Sequence, residues 1–139
     1  MRIRAFEERD TDAVVQLWED CELTRPWNDP RRDIERKSTT QPDLFLVGDE
    51  FGAVVATAMV GYDGHRGWVY YLAVDPAHRR VGHSRALMAE AERLLLERGC
   101  PKLMLMVRAS NTAVVDLYEH LDYVREDTVV MGKRLIPDD

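Results

Sequence analysis

Apolar and polar positions alternate from Met1 to Phe6, with Met1, Ile3 and Ala5 set against Arg2 and Arg4, which predicts a half-buried first strand. The period then changes. Val14, Leu17, Trp18 and Cys21 follow i, i+3, i+4, i+7 spacing, the stripe of an amphipathic helix that Asp10 is placed to cap. RPWNDPRRD ends that helix, since Pro26 and Pro30 bracket Trp27, Asn28 and Asp29, and a short polar helix restarts over Arg31 to Ser38. Leu44 to Val47 and Val54 to Tyr62 predict two strands joined by a turn at Gly48 to Gly52, and DGHRG (Asp63 to Gly67) is a second turn. Trp68 to Val74, WVYYLAV, is apolar almost throughout and predicts a strand covered on both faces. Strict alternation there sends Tyr70 and Tyr71 to opposite faces, so only one of them is expected in a cleft.

A loop follows, then a long helix with Leu87, Ala91, Leu94 and Leu95 on one face and Glu90, Arg93 and Glu97 on the other. Gly99 and Pro101 specify its end. Leu103 to Val107 predicts a buried strand. Asn111 caps a last helix with Val114, Leu117, Tyr118 and Leu121 in one stripe, and Tyr123 to Arg125 and Val129 to Arg134 are expected as closing strands. The predicted fold is α/β (α+β): three α/β/α layers, a central mixed, mostly antiparallel sheet of six to seven strands, and about four helices. The strands flanking the long helix are expected to be parallel. Repeats, low-complexity tracts and linkers are absent, so residues 1–139 are expected to form one domain.

Composition narrows the function. The net charge of −6 excludes a broad nucleic-acid face, and no nucleic-acid partner is expected. Cys21 and Cys100 lack disulfide or metal spacing, and Cys21, on the helix stripe, is expected to be a buried thiol. The histidines His65, His78, His83 and His120 form no ligand pattern, so no metal is expected. With neither a secretory leader nor a membrane-spanning apolar run, a cytoplasmic protein without a membrane partner is expected.

The loop between the central strand and the long helix runs against the global charge. Arg79, Arg80 and Arg85 face Asp75 alone, with His78 and His83 nearby. A strand feeding a glycine-containing loop and a helix N-terminus makes an anion site, because the first helical N–H groups lack acceptors. There is no G-x-x-x-x-G-K-[ST] and only one glycine, so neither a P-loop nor a dinucleotide fingerprint is present. R-R-V-G-H-S, Arg79 to Ser84, instead resembles the Q/R-x-x-G-x-G/A signature of the GNAT superfamily of acetyl-CoA-dependent N-acetyltransferases, with Ser84 in place of the final Gly or Ala. YLAVDP before it looks like that family's central strand. VRASNTAVVDLYEHLDY, Val107 to Tyr123, is similar to its V-x-x-x-N-x-x-A-x-x-L-Y-x-x-x-G-F segment, with Val114 for Ala and Asp122 for Gly. RPWNDP, YDGHRG, DIERK and GKRLI resemble the small bacterial acetyltransferases of the YpeA group.

The resemblance implies acetyl-CoA as cosubstrate and a primary amine, on a small molecule or a protein, as acceptor, with direct attack in a ternary complex. It implies that main-chain amides of Leu72, Ala73 and Val74 receive the thioester and pantetheine arm. Arg79, Arg80, Val81, Gly82, His83 and Ser84 would wrap the pyrophosphate, with Asn111 and Tyr118 completing the cofactor site. Tyr118 is the candidate general acid for the departing thiolate, although its spacing also suits plain core packing. Many relatives use a glutamate base on a central strand, and in those that end this strand with E-V-R-A-S-N it sits where Met106 stands here. The base is therefore sought among Glu22, Asp29, Asp63, His65 or a tyrosine acting through water. Trp27, Asn28, Asp29, Asp63, His65 and Tyr70 are the candidate acceptor-site residues. The alternative is a module that binds acetyl-CoA or CoA without turnover. The terminal strands suggest a possible homodimer.

Overall fold

A computed structural model describes residues 1–138. Five strands lie in sequence order across one sheet: β1 (Arg2–Ala5), β2 (Phe45–Glu50), β3 (Ala53–Tyr62), β4 (Gly67–Val74) and β5 (Leu103–Leu105). The first four are antiparallel and β4 pairs β5 in parallel. Helices α1 (Thr11–Asp20) and α2 (Pro30–Ser38) cover one face, where Val14, Leu17, Trp18 and Ile34 pack with Phe45, Val47, Met59 and Ala73. On the other face, α3 (His83–Glu97) and α4 (Thr112–His120) bring Leu87, Ala91, Leu95 and Tyr118 against Leu46, Ala58, Val60 and Val69. This is the expected mixed, three-layer architecture. No helix among the described residues is long and apolar enough to cross a membrane.

One glycine sets how closely α3 approaches the sheet. A β-carbon on Gly67 would stand 2.6 Å from Leu95 Cδ1 and 3.0 Å from Cys100 Sγ, so only hydrogen fits there. The Asn111 cap holds, and the Asp10 cap takes another form. Asn111 Oδ1 accepts from the Val114 amide, and Asp122 adopts the left-handed backbone (φ 69°) in the place of a glycine. Asp10 precedes α1 but does not cap it. Its carboxylate accepts from the Glu7 amide and is gripped by both terminal nitrogens of the Arg4 guanidinium at 2.8 and 3.0 Å.

Three further expectations are corrected. The sheet has five strands rather than six to seven, because Tyr123 to Arg125 and Val129 to Arg134 form no strand. β5 spans only three residues, and the chain after α4 is held instead by charge at α2. Arg134 Nη2 donates to Asn28 Oδ1 at 2.9 Å, and Asp138 accepts from Arg36 Nη2 at 2.6 Å and from the Asp29 amide at 2.8 Å. Cys21 is only partly buried: it lies just past the end of α1, where its thiol donates to the Val74 carbonyl, and the buried thiol is Cys100. Most consequential is β4. Thr57 faces Ala73 while Met59 faces Tyr70, so two steps on β3 match three on β4, and Tyr71 is the extra residue, with φ 51°. The bulge puts Tyr70 and Tyr71 on the same face, the α1/α2 face, and restores alternation from Leu72 onward.

Candidate active site

The bulge is fastened from below. Trp18 Nε1 donates to Thr57 Oγ1 (2.9 Å), and Thr57 in turn donates to the Tyr71 carbonyl (2.8 Å), with Trp18 and Thr57 both fully buried. The Trp18 ring also stacks on Tyr71, centroids 3.7 Å apart. These contacts satisfy a carbonyl that the bulge takes out of the ladder.

On the opposite edge β4 loses its neighbour. β5 pairs only with Gly67, Trp68 and Val69, and beyond Leu105 the two strands part, leaving Tyr70 to Val74 open on that side. The Asp75 amide donates to Val55 on β3 (2.8 Å), so by strand alternation the Leu72 and Val74 amides face the open edge and that of Ala73 faces β3.

The loop after β4 begins with a short 3₁₀ turn over Pro76–His78, capped by Asp75. Arg80 (φ 67°) and Gly82 (φ 89°) then both take left-handed backbone, which curls the chain into the start of α3. Gly82 offers no capping side chain. The first bond of α3 joins the Ala86 amide to the Gly82 carbonyl, so the amides of His83, Ser84 and Arg85 precede any helical acceptor. Arg80 and Val81 are exposed. Arg79, also exposed, braces the loop, with Nε donating to the Val74 carbonyl at 3.1 Å and Nη2 reaching Cys21 Sγ at 3.6 Å. His83 and His78 each lie 3.8 Å from the Glu50 carboxylate, which ties the loop to the end of β2.

Tyr118 is buried on α4 in the same apolar cluster as Val74, edge-on to Tyr123 at 5.8 Å. Burial pushes its phenol up to about 12, and its hydroxyl has no hydrogen-bond partner among the described residues. Met106, on the stretch that leaves β4, is half exposed and brings no carboxylate to the parting of the strands. Asn111 is exposed and is engaged as the α4 cap.

On the α1/α2 face, Asp33, Lys37, Met59, Tyr70 and Tyr71 line a hollow of about 380 Å³. Of the expected acceptor residues, Tyr70 lies in its wall. Asn28 reaches its rim, donating to Asp33 Oδ2 (2.6 Å) and the Tyr71 hydroxyl (3.0 Å). Tyr71 itself donates to Asp33 Oδ2 at 2.7 Å, and burial together with that carboxylate raises its phenol well above the ordinary tyrosine range. Trp27 is exposed and lines a neighbouring hollow against Gly132 to Ile136. Asp29 caps α2, accepting from the Arg31 amide. Asp63 accepts from the amides of His65 and Arg66, which lower its carboxyl, and His65 stands exposed in that turn. Asp29, Asp63 and His65 are thus engaged in local turns or solvent, outside the hollow's lining. Tyr71, Asp33 and Lys37 were missed. Tyr71 was hidden by alternation, and DIERK was placed in a short polar helix with no site role; the signal available was its resemblance alongside RPWNDP.

An acylating fold is therefore expected from the parted parallel strands and the anion loop, and comparison with known proteins agrees. Residues 11–123 match the acetyltransferase (GNAT) family. The chain belongs to that family. It is similar to an acetyltransferase of Yersinia enterocolitica, 54% identical, with 99% of this chain and 98% of that protein covered. An uncharacterized N-acetyltransferase of Yersinia pestis is 53% identical over the same shares. Among solved structures, Ard1 from Thermoplasma volcanium superposes with a TM-score of 0.77 at 26% identity, covering 88% of this chain and 82% of that one.

Proposed function

We propose that this acetyltransferase moves the acetyl group of acetyl-CoA directly onto a primary amine of a small molecule or protein while both are bound. The observation that carries the reading is the open edge of β4 beside the curled loop at the start of α3. The pantetheine arm lies along that edge, and the loop amides with Arg80 receive the pyrophosphate. Arg79 keeps the loop in shape. The amine nitrogen attacks the thioester carbonyl, and outward amides of β4 stabilise the developing oxyanion. The C–S bond then breaks, and Tyr118 protonates the thiolate. Its raised phenol stays protonated at neutral pH and is therefore available as a donor. Asp33, the one carboxylate in the lining of the hollow among the described residues, orients the ammonium and takes its proton through water.

Calorimetric titration with acetyl-CoA, CoA and ATP, followed by thiol release with an amine panel, tests this reading. Binding of both CoA species but not ATP, with thiol released only when an amine is present, is expected. No acetyl-CoA binding overturns it. We also propose a homodimer through the segment after α4, where Val129 and Met131 stand almost fully exposed. Light scattering that returns only the 16.0 kDa monomer would rule the dimer out.

A further inference from the structure

Three motifs distant in sequence meet at one wall of the hollow. RPWNDP brings Asn28, DIERK brings Asp33, Arg36 and Lys37, and the C-terminal segment brings Arg134 and Asp138. Their charges nearly all cancel in pairs. Asp12 pairs with Arg31 (2.8 Å), Asp29 with Arg32 (3.8 Å) and Asp33 with Arg36 (3.2 Å). Asp138 pairs with Arg36 (2.6 Å) and Arg134 (3.6 Å), and Asp43 with Arg98.

Lys37 is left over. It is 8% exposed, it lines the hollow, and one N–H of its ammonium donates to the Val60 carbonyl at 2.5 Å. No carboxylate among the described residues pairs with it. Burying a cation without a counter-charge is costly, and a lone carbonyl is served as well by a neutral donor. The cation is explained if an anion arrives with the ligand. One turn earlier on α2, Asp33 has three of its four acceptor directions filled, Oδ2 by Asn28 and Tyr71 and Oδ1 by Arg36. One direction on Oδ1 remains for an N–H. Beside these two charges the lining is Met59, Tyr70 and Tyr71, with Arg36, already paired to Asp33 and Asp138, and Thr40. A volume of about 380 Å³ suits a single small ligand.

We propose that the acceptor is a free α-amino acid with an apolar or aromatic side chain, its carboxylate met by Lys37 and its amine by Asp33. This rests on the acetyl-transfer reading and names its substrate class.

The test compares phenylalanine with phenethylamine, which lacks only the carboxylate, by kcat/KM at saturating acetyl-CoA in the wild type and in Lys37→Met. Phenylalanine is expected to be preferred at least about tenfold, falling to within about twofold in Lys37→Met, since each tenfold reflects one well-placed charge contact. Equal use of the two by the wild type overturns the proposal, as does an undiminished preference in Lys37→Met. Should Lys37→Met not fold, inhibition of the wild type by 3-phenylpropionate is decisive: competition against phenylalanine supports the proposal and its absence overturns it. If the wild type acetylates neither compound, calorimetry on the CoA-bound chain decides. Binding of phenylalanine but not phenethylamine supports the assignment, and any other pattern sinks it. Failure to bind acetyl-CoA at all would instead strike the broader reading.

Discussion

Tyr118→Phe separates chemistry from packing more cleanly than any other single change. It removes one oxygen from a buried ring and leaves the ring among its apolar neighbours and edge-on to Tyr123. That hydroxyl has no partner in the described structure, so its loss costs folding less than about 1 kcal/mol. A positioned general acid supplies about 10²- to 10⁴-fold of rate. We therefore expect kcat to fall at least about a hundredfold, about 2.7 kcal/mol of transition-state stabilisation. The acetyl-CoA Kd should move less than about twofold, because the lost interaction forms only as the thiolate departs. The pH profile adds a second reading. A phenol raised to about 12 remains protonated through the neutral range, so Tyr118 contributes no falling limb there and its acid function fades only as the pH approaches that value. Continuous thiol detection gives kcat, and calorimetry gives Kd. Wild-type kcat in a folded Tyr118→Phe protein would refute the reasoning and return Tyr118 to the core. A loss confined to Kd would make it a cofactor contact.

Arg80→Glu should weaken acetyl-CoA at least about tenfold by placing an anion beside the pyrophosphate, as read by calorimetry, with thermal stability unchanged; unaltered affinity would count against the loop. Gly67→Ala should cost about 1–3 kcal/mol by overpacking against Leu95 and Cys100, visible in denaturant unfolding, and a neutral result would mean that α3 shifts freely. Asp10→Asn should cost roughly 2 kcal/mol, the range for a charge-assisted bond. The Arg4 guanidinium, and then the Glu7 amide, hold Asp10 below the usual carboxylate range. Its stabilisation is therefore complete above the ordinary aspartate value and is lost as the pH falls through the depressed one. Acid unfolding should begin at higher pH once Arg4 and Asp49 alone remain paired. An unchanged acid limb would show that the pair is idle.

The backbone around the loop into α3 and around α4 was legible because its determinants are local. The left-handed turns at Gly82 and Asp122, the Asn111 cap, and the apolar runs of β4 and α3 each follow from residues adjacent in sequence. The hollow on the α1/α2 face was not. Period-two alternation carries no mark of the extra residue at Tyr71. That bulge is made tolerable by Thr57 on the neighbouring strand and by Trp18 on a helix 39 residues before Thr57. The closing strands misled for a related reason. VVM has strand propensity, but pairing depends on a partner edge, and β5 offers three residues while Arg36 and the Asp29 amide offer Asp138 a charged seat. Cys21 fell one residue beyond α1, where a helical stripe no longer applies.

These two sides differ in how they are held, and the difference bears on specificity. α3 is fixed by Leu87, Met88, Ala91 and Leu95, all but fully buried, so the loop it anchors inherits the rigidity of the core. α2 buries only Ile34 and Lys37 and is otherwise positioned by hydrogen bonds: Asn28 and Tyr71 to Asp33, Arg36 to Asp33 and Asp138, Arg134 to Asn28. Each of those bonds is exchangeable with water, whereas lifting α3 would expose a packed apolar face. The α2 wall of the hollow is thus the softer one, joined through Tyr71 to β4. An acceptor that completes the charges at Lys37 and Asp33 would firm that wall as it binds, and one that leaves either group unpaired would face a wall with less reason to close. On the proposed assignment, discrimination between acceptors resides in the polar node around Asp33, apart from the packed core that fixes α3.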